Sequence, residues 1–257
     1  MQVIKNYESV WFQITDFLKK SVPDLGLMSD KSMDTICHLV ETSLKCSGSS
    51  YAIANLVYFL YNDKYIVSKL KTKCWYFHDG TRWIQSEVGP YYELSTNIVA
   101  IYESFKLSLL NIIDNYLYEN IDNDEVSIEN VKNILLDKIN KCDAIIIKLK
   151  NVNSKENICK ECAYLFYDHK FIKQIDRNPY LICFRNGVLD LHGNQFRKGH
   201  SSDLITLMIE CDFKFPIKSS EKNKMNELIE QFQLFRKNIV DNRNSRMSNM
   251  YFPITNE

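Results

Sequence analysis

The sequence is poor in glycine and lacks a phosphate-binding loop. Only seven of its 257 residues are glycine, and no segment follows the pattern G-x-x-x-x-G-K-[ST] with which P-loop ATPases bind nucleotide phosphates. A P-loop motor requires that loop, so the sequence excludes an ATPase motor of this kind within the chain. We predict that the chain by itself has no catalytic residues and needs no cofactor.

The sequence also lacks a net charge, a membrane-spanning run and a secretion signal. Its 32 basic and 32 acidic residues give a formal net charge of zero, so nucleic-acid binding would have to come from local basic patches. The longest apolar runs, such as residues 52–61, are shorter than the ~20 residues that cross a bilayer, and the N-terminal residues do not resemble a signal peptide. These absences predict an intracellular protein that is neither secreted nor bound to a membrane.

The eight cysteines show no disulfide framework, and reduced thiols are the simpler interpretation. Cys159 and Cys162 form a C-x-x-C pair, which a zinc site would have to complete with two further ligands. The candidates for those ligands are Cys183, His169 and His192. In a helix, however, Cys162 lies on the same face as Leu165 and Phe166, which favours a buried thiol. We therefore predict no metal site.

Apolar residues at helical spacing predict most of the structure. Residues 1–62 are expected to form three helices, the second capped by Ser29 and buried through Met33, Ile36, Cys37, Val40 and Leu44. Two longer helices are predicted between residues 95 and 149, the first capped by Ser95, and their short connection favours antiparallel pairing. Further helices are predicted at residues 154–167 and 219–240, with a flexible tail from residue 241.

The connection between the two long helices is acidic and includes Asp122 and Asp124. Such carboxylates could bind magnesium for phosphoryl transfer, whereas a solvated loop before an acidic first helical turn accounts for them without a metal. The loop interpretation is favoured, because no strand-borne Asp-x-Asp with a partner histidine accompanies them. A degenerate nuclease-like or primase-like enzyme is the weakest functional hypothesis.

A basic strand followed by an aromatic hairpin is predicted between residues 64 and 85. Lys69, Lys71 and Lys73 alternate with less polar residues, as they would along one face of a strand. Trp75 opens an aromatic segment, and the Asp-Gly pair at residues 79–80 predicts a tight turn. The returning strand then brings Trp83 back beside that segment.

A three-stranded meander is predicted over residues 180–198. Its first two strands, residues 180–184 and 188–191, are joined by an Asn186-Gly187 turn, and residues 195–198 return after a second turn. Strands this short must pack on helices. The fold class is therefore α+β, mainly α-helical with short antiparallel hairpin and meander elements. The predicted divisions are residues 1–90, 91–216 and 217–257.

Two blocks of sequence resemble a known viral family. The run LFYDHKFIKQIDRNPYLICFRNGVLDL at residues 165–191, followed by FRKG at residues 196–199, resembles the domain that precedes the superfamily 3 helicase motor in poxvirus-type primase-helicases of large DNA viruses. The block from Ala52 to Trp83, with its WYFHDGTRW core at residues 75–83, resembles an earlier part of that domain. The motif residues for which the resemblance implies a structural role are Asn178, Pro179, Phe184, Asn186, Gly187, Asp190 and Leu191.

The resemblance implies a helicase-associated module of viral DNA replication, in a paralogue or fragment that lacks the motor. Such a domain sits as a collar on a hexameric helicase, assists ring assembly and guides DNA. The implied partners are single-stranded or forked DNA and either a separate helicase motor subunit or further copies of this chain in a ring. The implied location is the host cytoplasm.

Independently of the resemblance, the residues themselves predict contacts with single-stranded DNA. Cations beside aromatic rings supply the phosphate and base contacts that single-strand binding uses. The candidates are Lys69, Lys71, Lys73, Trp75, Arg82, Trp83, Arg185, Arg197 and Lys198. Ordinary solvated faces explain the cations and core packing explains the tryptophans, so both alternatives stay open. The alternative function is a structural or docking protein that keeps the fold without binding nucleic acid.

Overall fold

The computed structural model describes residues 30–119, 125–214, 227, 229–234 and 237. The chain divides into two compact units: unit 1 comprises residues 1–73 and 87–167, and unit 2 comprises residues 74–86 and 168–257. Long helices dominate unit 1, whereas unit 2 carries an antiparallel hairpin and an antiparallel meander. The predicted α+β fold is thereby confirmed. The division at residues 90 and 216 stays a prediction about domains.

Unit 1 is built from helices whose apolar stripes meet in one core. Its elements are α1 (Asp30–Lys45), α2 (Ser50–Tyr61), β1 (Tyr65–Lys69), α3 (Tyr91–Glu93), α4 (Val99–Glu119), α5 (Glu125–Lys150) and α6 (Val152–Leu165). A π-helical segment, Leu94–Ile98, joins α3 to α4. The five residues predicted for the buried stripe of α1 are at most 3 % exposed, which confirms that prediction.

Helices α4 and α5 form the predicted antiparallel pair. Two ion pairs fix their relative direction: Lys106 Nζ lies 2.6 Å from Asp143 Oδ1, and Lys150 Nζ lies 3.4 Å from Glu103 Oε1. The earlier residue of α4 therefore contacts the later residue of α5. The apolar faces of both helices, including Phe105, are buried between them and the neighbouring helices.

The start of the first long helix differs from the prediction, since Ser95 lies inside the π-helical segment. The buried carboxylate of Glu93 anchors this region: it accepts hydrogen bonds from Lys64 Nζ at 2.7 Å, from the Tyr65 hydroxyl at 3.2 Å and from Asn97 Nδ2 at 2.7 Å. Ser95 instead accepts from Lys155 Nζ at 2.8 Å. The helical path thus begins at α3, where this polar network secures it.

Unit 2 contains the two predicted β-elements. Its elements are β2 (Cys74–His78), β3 (Trp83–Ser86), the one-turn helix α7 (Phe171–Gln174), β4 (Leu181–Phe184), β5 (Gly187–Asp190), β6 (Gln195–Arg197) and a 3-10 turn, Ser201–Asp203. Strands β2 and β3 form the hairpin, and β4, β5 and β6 form the meander. Phe184 pairs with Gly187, so the turn residues are Arg185 and Asn186 and the predicted Asn186-Gly187 turn is wrong by one residue.

Both faces of the meander are buried, because alternate residues of β4 enter different apolar clusters. Leu181 and Cys183 join one cluster, which includes Val188 and Ile205. Ile182 and Phe184 join another around Leu189, against which Ile229 and Phe232 pack. This arrangement explains why all four residues of β4 are buried.

Some predictions fall outside the described residues. They concern the first helix, the Ser29 cap of the second helix, the acidic residues Asp122 and Asp124, and the tail from residue 241. Residues 229–234 are helical, as predicted for that part of the C-terminal helix. Residues 204–208 lack regular secondary structure, and a bridge from Ile209 to Phe184 then joins the chain to the meander.

Candidate nucleic-acid interface

The three lysines of the predicted basic strand are exposed, but only the first lies in a strand. Strand β1 ends at Lys69, and residues 70–73 form a turn in which Lys73 adopts a φ of +46°. The predicted alternation along one strand face is therefore wrong. Within residues 30–119 and 125–214 none of Lys69, Lys71 and Lys73 forms a salt bridge, so their charges are available to an anionic ligand.

The two tryptophans are core residues of unit 2. Trp75 and Trp83 are each 2 % exposed. The Trp83 indole N–H donates to the Ser201 carbonyl at 2.8 Å, and its ring packs against Phe171 with centroids 5.4 Å apart. Neither indole presents a face to a nucleic-acid base. The core-packing alternative therefore holds for both.

Arg82 lies in the loop between β2 and β3 and is half-buried. The Asp79 carboxylate shapes this loop by accepting hydrogen bonds from the backbone N–H groups of Thr81 and Arg82, both at 2.8 Å. The Arg82 guanidinium donates to the Thr206 carbonyl at 3.2 Å. This contact ties the hairpin loop to the segment that follows the 3-10 turn, and it leaves the positive charge without a carboxylate partner among the described residues.

The three cations predicted on the meander differ in their surroundings. Arg185 lies exposed in the β4–β5 turn, where it donates to the Glu210 carbonyl at 3.0 Å, and Lys198 is exposed after β6. Arg197 instead forms two hydrogen bonds of 2.8 Å with the Asp203 carboxylate and lies 3.9 Å from Asp190. Arg197 is thus a structural residue, while Arg185 and Lys198 face solvent.

The Arg197–Asp203 pair makes the stability of unit 2 dependent on acidity. Burial raises the pKa of the Asp203 carboxyl, but the hydrogen bonds from Arg197 and from the His200 backbone outweigh it and lower the pKa below its ordinary value. A lowered pKa means that the folded state prefers the ionised carboxylate. The stabilisation is therefore complete above pH ~4 and is lost as the pH falls through the lowered pKa.

We expect Asp203→Asn to flatten the acid side of the stability curve, because it removes the carboxyl that titrates. The measurement is the midpoint of urea unfolding at a series of pH values between about pH 5 and pH 2. Unfolding is monitored by the fluorescence of Trp75 and Trp83 in a Trp11→Phe background. Both remaining tryptophans lie in unit 2. The exposed Asp212 provides the matched control, Asp212→Asn. If the urea midpoint of Asp203→Asn fell with decreasing pH as steeply as that of the unmodified chain, the stabilising role of the Asp203 carboxylate would be contradicted.

The family-motif residues hold the meander together. Asn178 accepts a hydrogen bond from the Tyr180 backbone N–H at 3.0 Å, beside the exposed Pro179. Asn186 bonds with the Phe213 backbone in both directions, at 2.8 and 3.1 Å. The remaining motif contacts come from Asp190, which caps His192 and Gly193, from buried Phe184 and half-buried Leu191, and from Gly187 in the β4–β5 pair.

Two features of unit 2 were missed by sequence reasoning. The first is Asp176, whose buried carboxylate accepts hydrogen bonds from the backbone N–H and hydroxyl of Thr206. The second is a stack of the Tyr180 and His192 rings, with centroids 4.5 Å apart and planes 10° from parallel. The predicted Asn186-Gly187 turn gave no signal for the stack, because it would place Tyr180 opposite Gly193, whereas the observed register places it opposite Leu191, next to His192.

The cysteine pair lies in α6, in unit 1. Cys162 is fully buried, and burial raises its pKa well above the ordinary value. Burial likewise raises the pKa of the Cys159 thiol to about 12. Neither thiol is therefore a ready thiolate. Among the residues that the structure describes, no group of three or more potential His, Cys, Asp or Glu ligands is placed to hold a metal ion.

The fold and motif define a class of protein: an α+β module of the type found in viral helicases and primase-like proteins. The chain belongs to the D5 N terminal like family, whose model matches residues 54–239. That match covers the aromatic hairpin, the long helices and the whole meander. The resemblance to the region before a viral helicase motor is confirmed by this match and by the relatives described next.

Three relatives come from large DNA viruses. The chain is 32 % identical over 159 residues to "Putative helicase L207/L206" of Acanthamoeba polyphaga mimivirus, a match that covers 62 % of this chain and 16 % of the relative. It is 29 % identical to "Putative helicase 121R" of Invertebrate iridescent virus 3, covering 79 % and 23 %. It is 25 % identical to "Putative helicase 022R" of Frog virus 3, covering 65 % and 19 %. The chain thus spans less than a quarter of each relative.

No helix among the described residues is both long enough and apolar enough to cross a bilayer.

Proposed function

We propose that the chain is a helicase-associated module of a viral DNA-replication primase-helicase, in which it guides single-stranded or forked DNA and assists assembly of the helicase ring. Its partners would be the DNA and either a separate motor subunit or further copies of the chain, in the host cytoplasm. Family membership and the helicase names of the relatives support this setting. The observation that carries the DNA part is the exposed group Lys69, Lys71 and Lys73.

These lysines are suited to phosphates for a physical reason. Exposed ammonium groups without carboxylate partners keep their full charge for a ligand, and each phosphate that they neutralise releases bound counterions from the strand. Chain connectivity keeps the three residues close, since they lie at the end of β1 and in the turn that follows. Because the net charge of the chain is zero, such a local group has to supply the attraction.

The triple variant Lys69→Ala/Lys71→Ala/Lys73→Ala is expected to bind a labelled single strand about tenfold more weakly. The slope of the logarithm of the binding constant against the logarithm of the salt concentration should become less steep by about 2, because each lost phosphate contact on a single strand contributes ~0.7. The measurement is fluorescence anisotropy of the full chain with the strand at several salt concentrations.

A second triple variant provides a matched charge control. Lys132→Ala/Lys141→Ala/Lys150→Ala removes the same charge from α5, where each of these lysines already has a carboxylate partner. We expect the control to bind nearly as the unmodified chain does. If the two variants bound the strand equally weakly, only the net charge would matter. That result would contradict the assignment of phosphate binding to residues 69–73.

The structural or docking function has its own supporting observation. Several large apolar side chains on the helices of unit 1 are exposed, among them Ile134 at 60 %, Ile147 at 69 % and Tyr164 at 69 %. Exposed apolar surface of this kind suits a protein partner. Absence of single-strand binding even at low salt would overturn the DNA-guiding proposal for the chain alone and favour docking to a motor subunit.

A further inference from the structure

A pocket of about 570 Å³ lies within unit 2, beside the stacked rings of Tyr180 and His192. Its lining also includes Arg177, Asn178 and Ser202. The backbone holds the stack in place, since the Leu191 N–H donates to the Tyr180 carbonyl at 2.9 Å and the Asp190 carboxylate accepts from the His192 N–H at 3.0 Å. The flat surface is therefore formed before any ligand arrives.

The rings remain accessible although they are ordered. Tyr180 is 43 % exposed, and His192 is also exposed. The apolar clusters on both faces of the meander are complete without either ring. An exposed aromatic surface that the core does not require is the feature on which nucleic-acid bases stack.

The formal charges that line the pocket sum to zero, since it holds two arginines and two aspartates, but both aspartates pair with the same arginine. Arg197 is neutralised by Asp203 at 2.8 Å and by Asp190 at 3.9 Å. Arg177 is exposed and has no carboxylate within salt-bridge distance among the described residues. Arg177 is therefore the lining cation that, among the described residues, no carboxylate engages. A ligand that combines a planar ring with an anionic group matches this arrangement.

We propose that this pocket binds one nucleotide unit, with the base stacked on the Tyr180–His192 pair and the phosphate at Arg177. The inference rests on the proposed function and deepens it, since it names a base contact in addition to the lysine contacts of unit 1. Stacking accepts any base, so the site does not depend on sequence. A strand and a free nucleotide share this chemistry, and the experiment separates them.

The test uses the full chain, a labelled oligothymidine, an abasic strand of the same length and dTMP as competitor. Tyr180→Ala is expected to weaken oligothymidine binding about tenfold and to leave abasic-strand binding unchanged, because only the stacking contact is lost. Arg177→Ala should weaken binding of both strands. Tyr164→Ala, which removes a tyrosine that is 69 % exposed in unit 1, is the matched control and should bind as the unmodified chain does.

Each outcome decides between the two proposals. If the chain binds oligothymidine with the expected salt dependence but Tyr180→Ala binds equally well, the nucleotide pocket is overturned and the lysine interface stands. If the chain binds neither strand but binds dTMP in a manner that Tyr180→Ala abolishes, the pocket holds free nucleotides and the DNA-guiding function fails. Failure to bind any of the three probes would overturn both proposals.

Discussion

Replacing Asp176 with alanine is expected to lower the free energy of unfolding of unit 2 by about 3 kcal/mol. The Asp176 side chain is 4 % exposed, and its carboxylate accepts a 2.7 Å hydrogen bond from the Thr206 backbone N–H, a further bond from the Thr206 hydroxyl and a 3.3 Å bond from the Leu207 N–H. Alanine would leave these donors without their partner. Asp176 also adopts a φ of +56°, which strains alanine more than aspartate.

Two further substitutions separate the causes of this loss. Asp176→Asn keeps one acceptor oxygen and tolerates the left-handed conformation, so it should lose less than alanine does. Asp176→Gly relieves the backbone strain but removes the acceptors, and it should fall between asparagine and alanine if strain contributes.

The measurement is urea unfolding followed by the fluorescence of Trp75 and Trp83 in the Trp11→Phe background. Asp212→Ala, which removes an exposed carboxylate from the same unit, is the control and should change stability by less than ~0.5 kcal/mol. An alanine variant as stable as that control would refute the anchoring role of Asp176.

The role of Asp176 shows which contacts sequence reasoning misses. Its partner Thr206 lies 30 residues further along the chain, and no local pattern connects an aspartate before one strand to a threonine beyond the last. The helical stripe of α1 is the opposite case, because its periodicity is contained within one element and was predicted residue by residue. Local repetition is thus readable, while contacts made by irregular segments need the tertiary structure.

The same distinction between local patterns and long-range contacts applies to the candidate interface. The cations at residues 69–73 were recognisable from composition, but the end of β1 at Lys69 was not, because alternation of polar and apolar residues also occurs in turns. Burial of Trp83 depends on partners such as Phe171 and Ser201 that are distant in sequence. Sequence reasoning therefore left the choice between core and surface open for the tryptophans, and the interface itself stays a prediction.

The β4–β5 turn shows two signals that compete at one glycine. Asn-Gly is a strong turn signal, and it predicted Gly187 as a turn residue. In the structure Gly187 pairs with Phe184 inside the ladder, where the strand β6 passes close to it. A residue at position 187 has no room for a side chain beside β6, so it must be glycine. The sequence of the hairpin alone does not show this, because β6 is the third strand.

Gly187→Ala is accordingly expected to destabilise unit 2 by about 3 kcal/mol or more. An added Cβ would lie 2.6 Å from the Arg197 carbonyl oxygen and 2.7 Å from Phe196 Cζ, and the φ of +155° is one that L-residues rarely adopt. The carbonyl belongs to the β6 backbone, so it cannot move aside without disrupting the β5–β6 pairing. Urea unfolding monitored by the same two tryptophans measures the loss.

Gly193→Ala is the matched control within the same meander. Its φ is not positive, and the nearest atom to an added Cβ is Gln195 Nε2 at 3.1 Å, the flexible end of a side chain. We expect this variant to lose less than ~1 kcal/mol. Equal losses in the two variants would indicate that any Cβ in the meander is costly and would remove the close approach of β6 as the reason for glycine at position 187. A large loss confined to Gly187→Ala would show that this glycine of the family motif is needed for strand packing. Gly187 lies in β5 rather than in the turn, and it does not line the proposed nucleotide pocket.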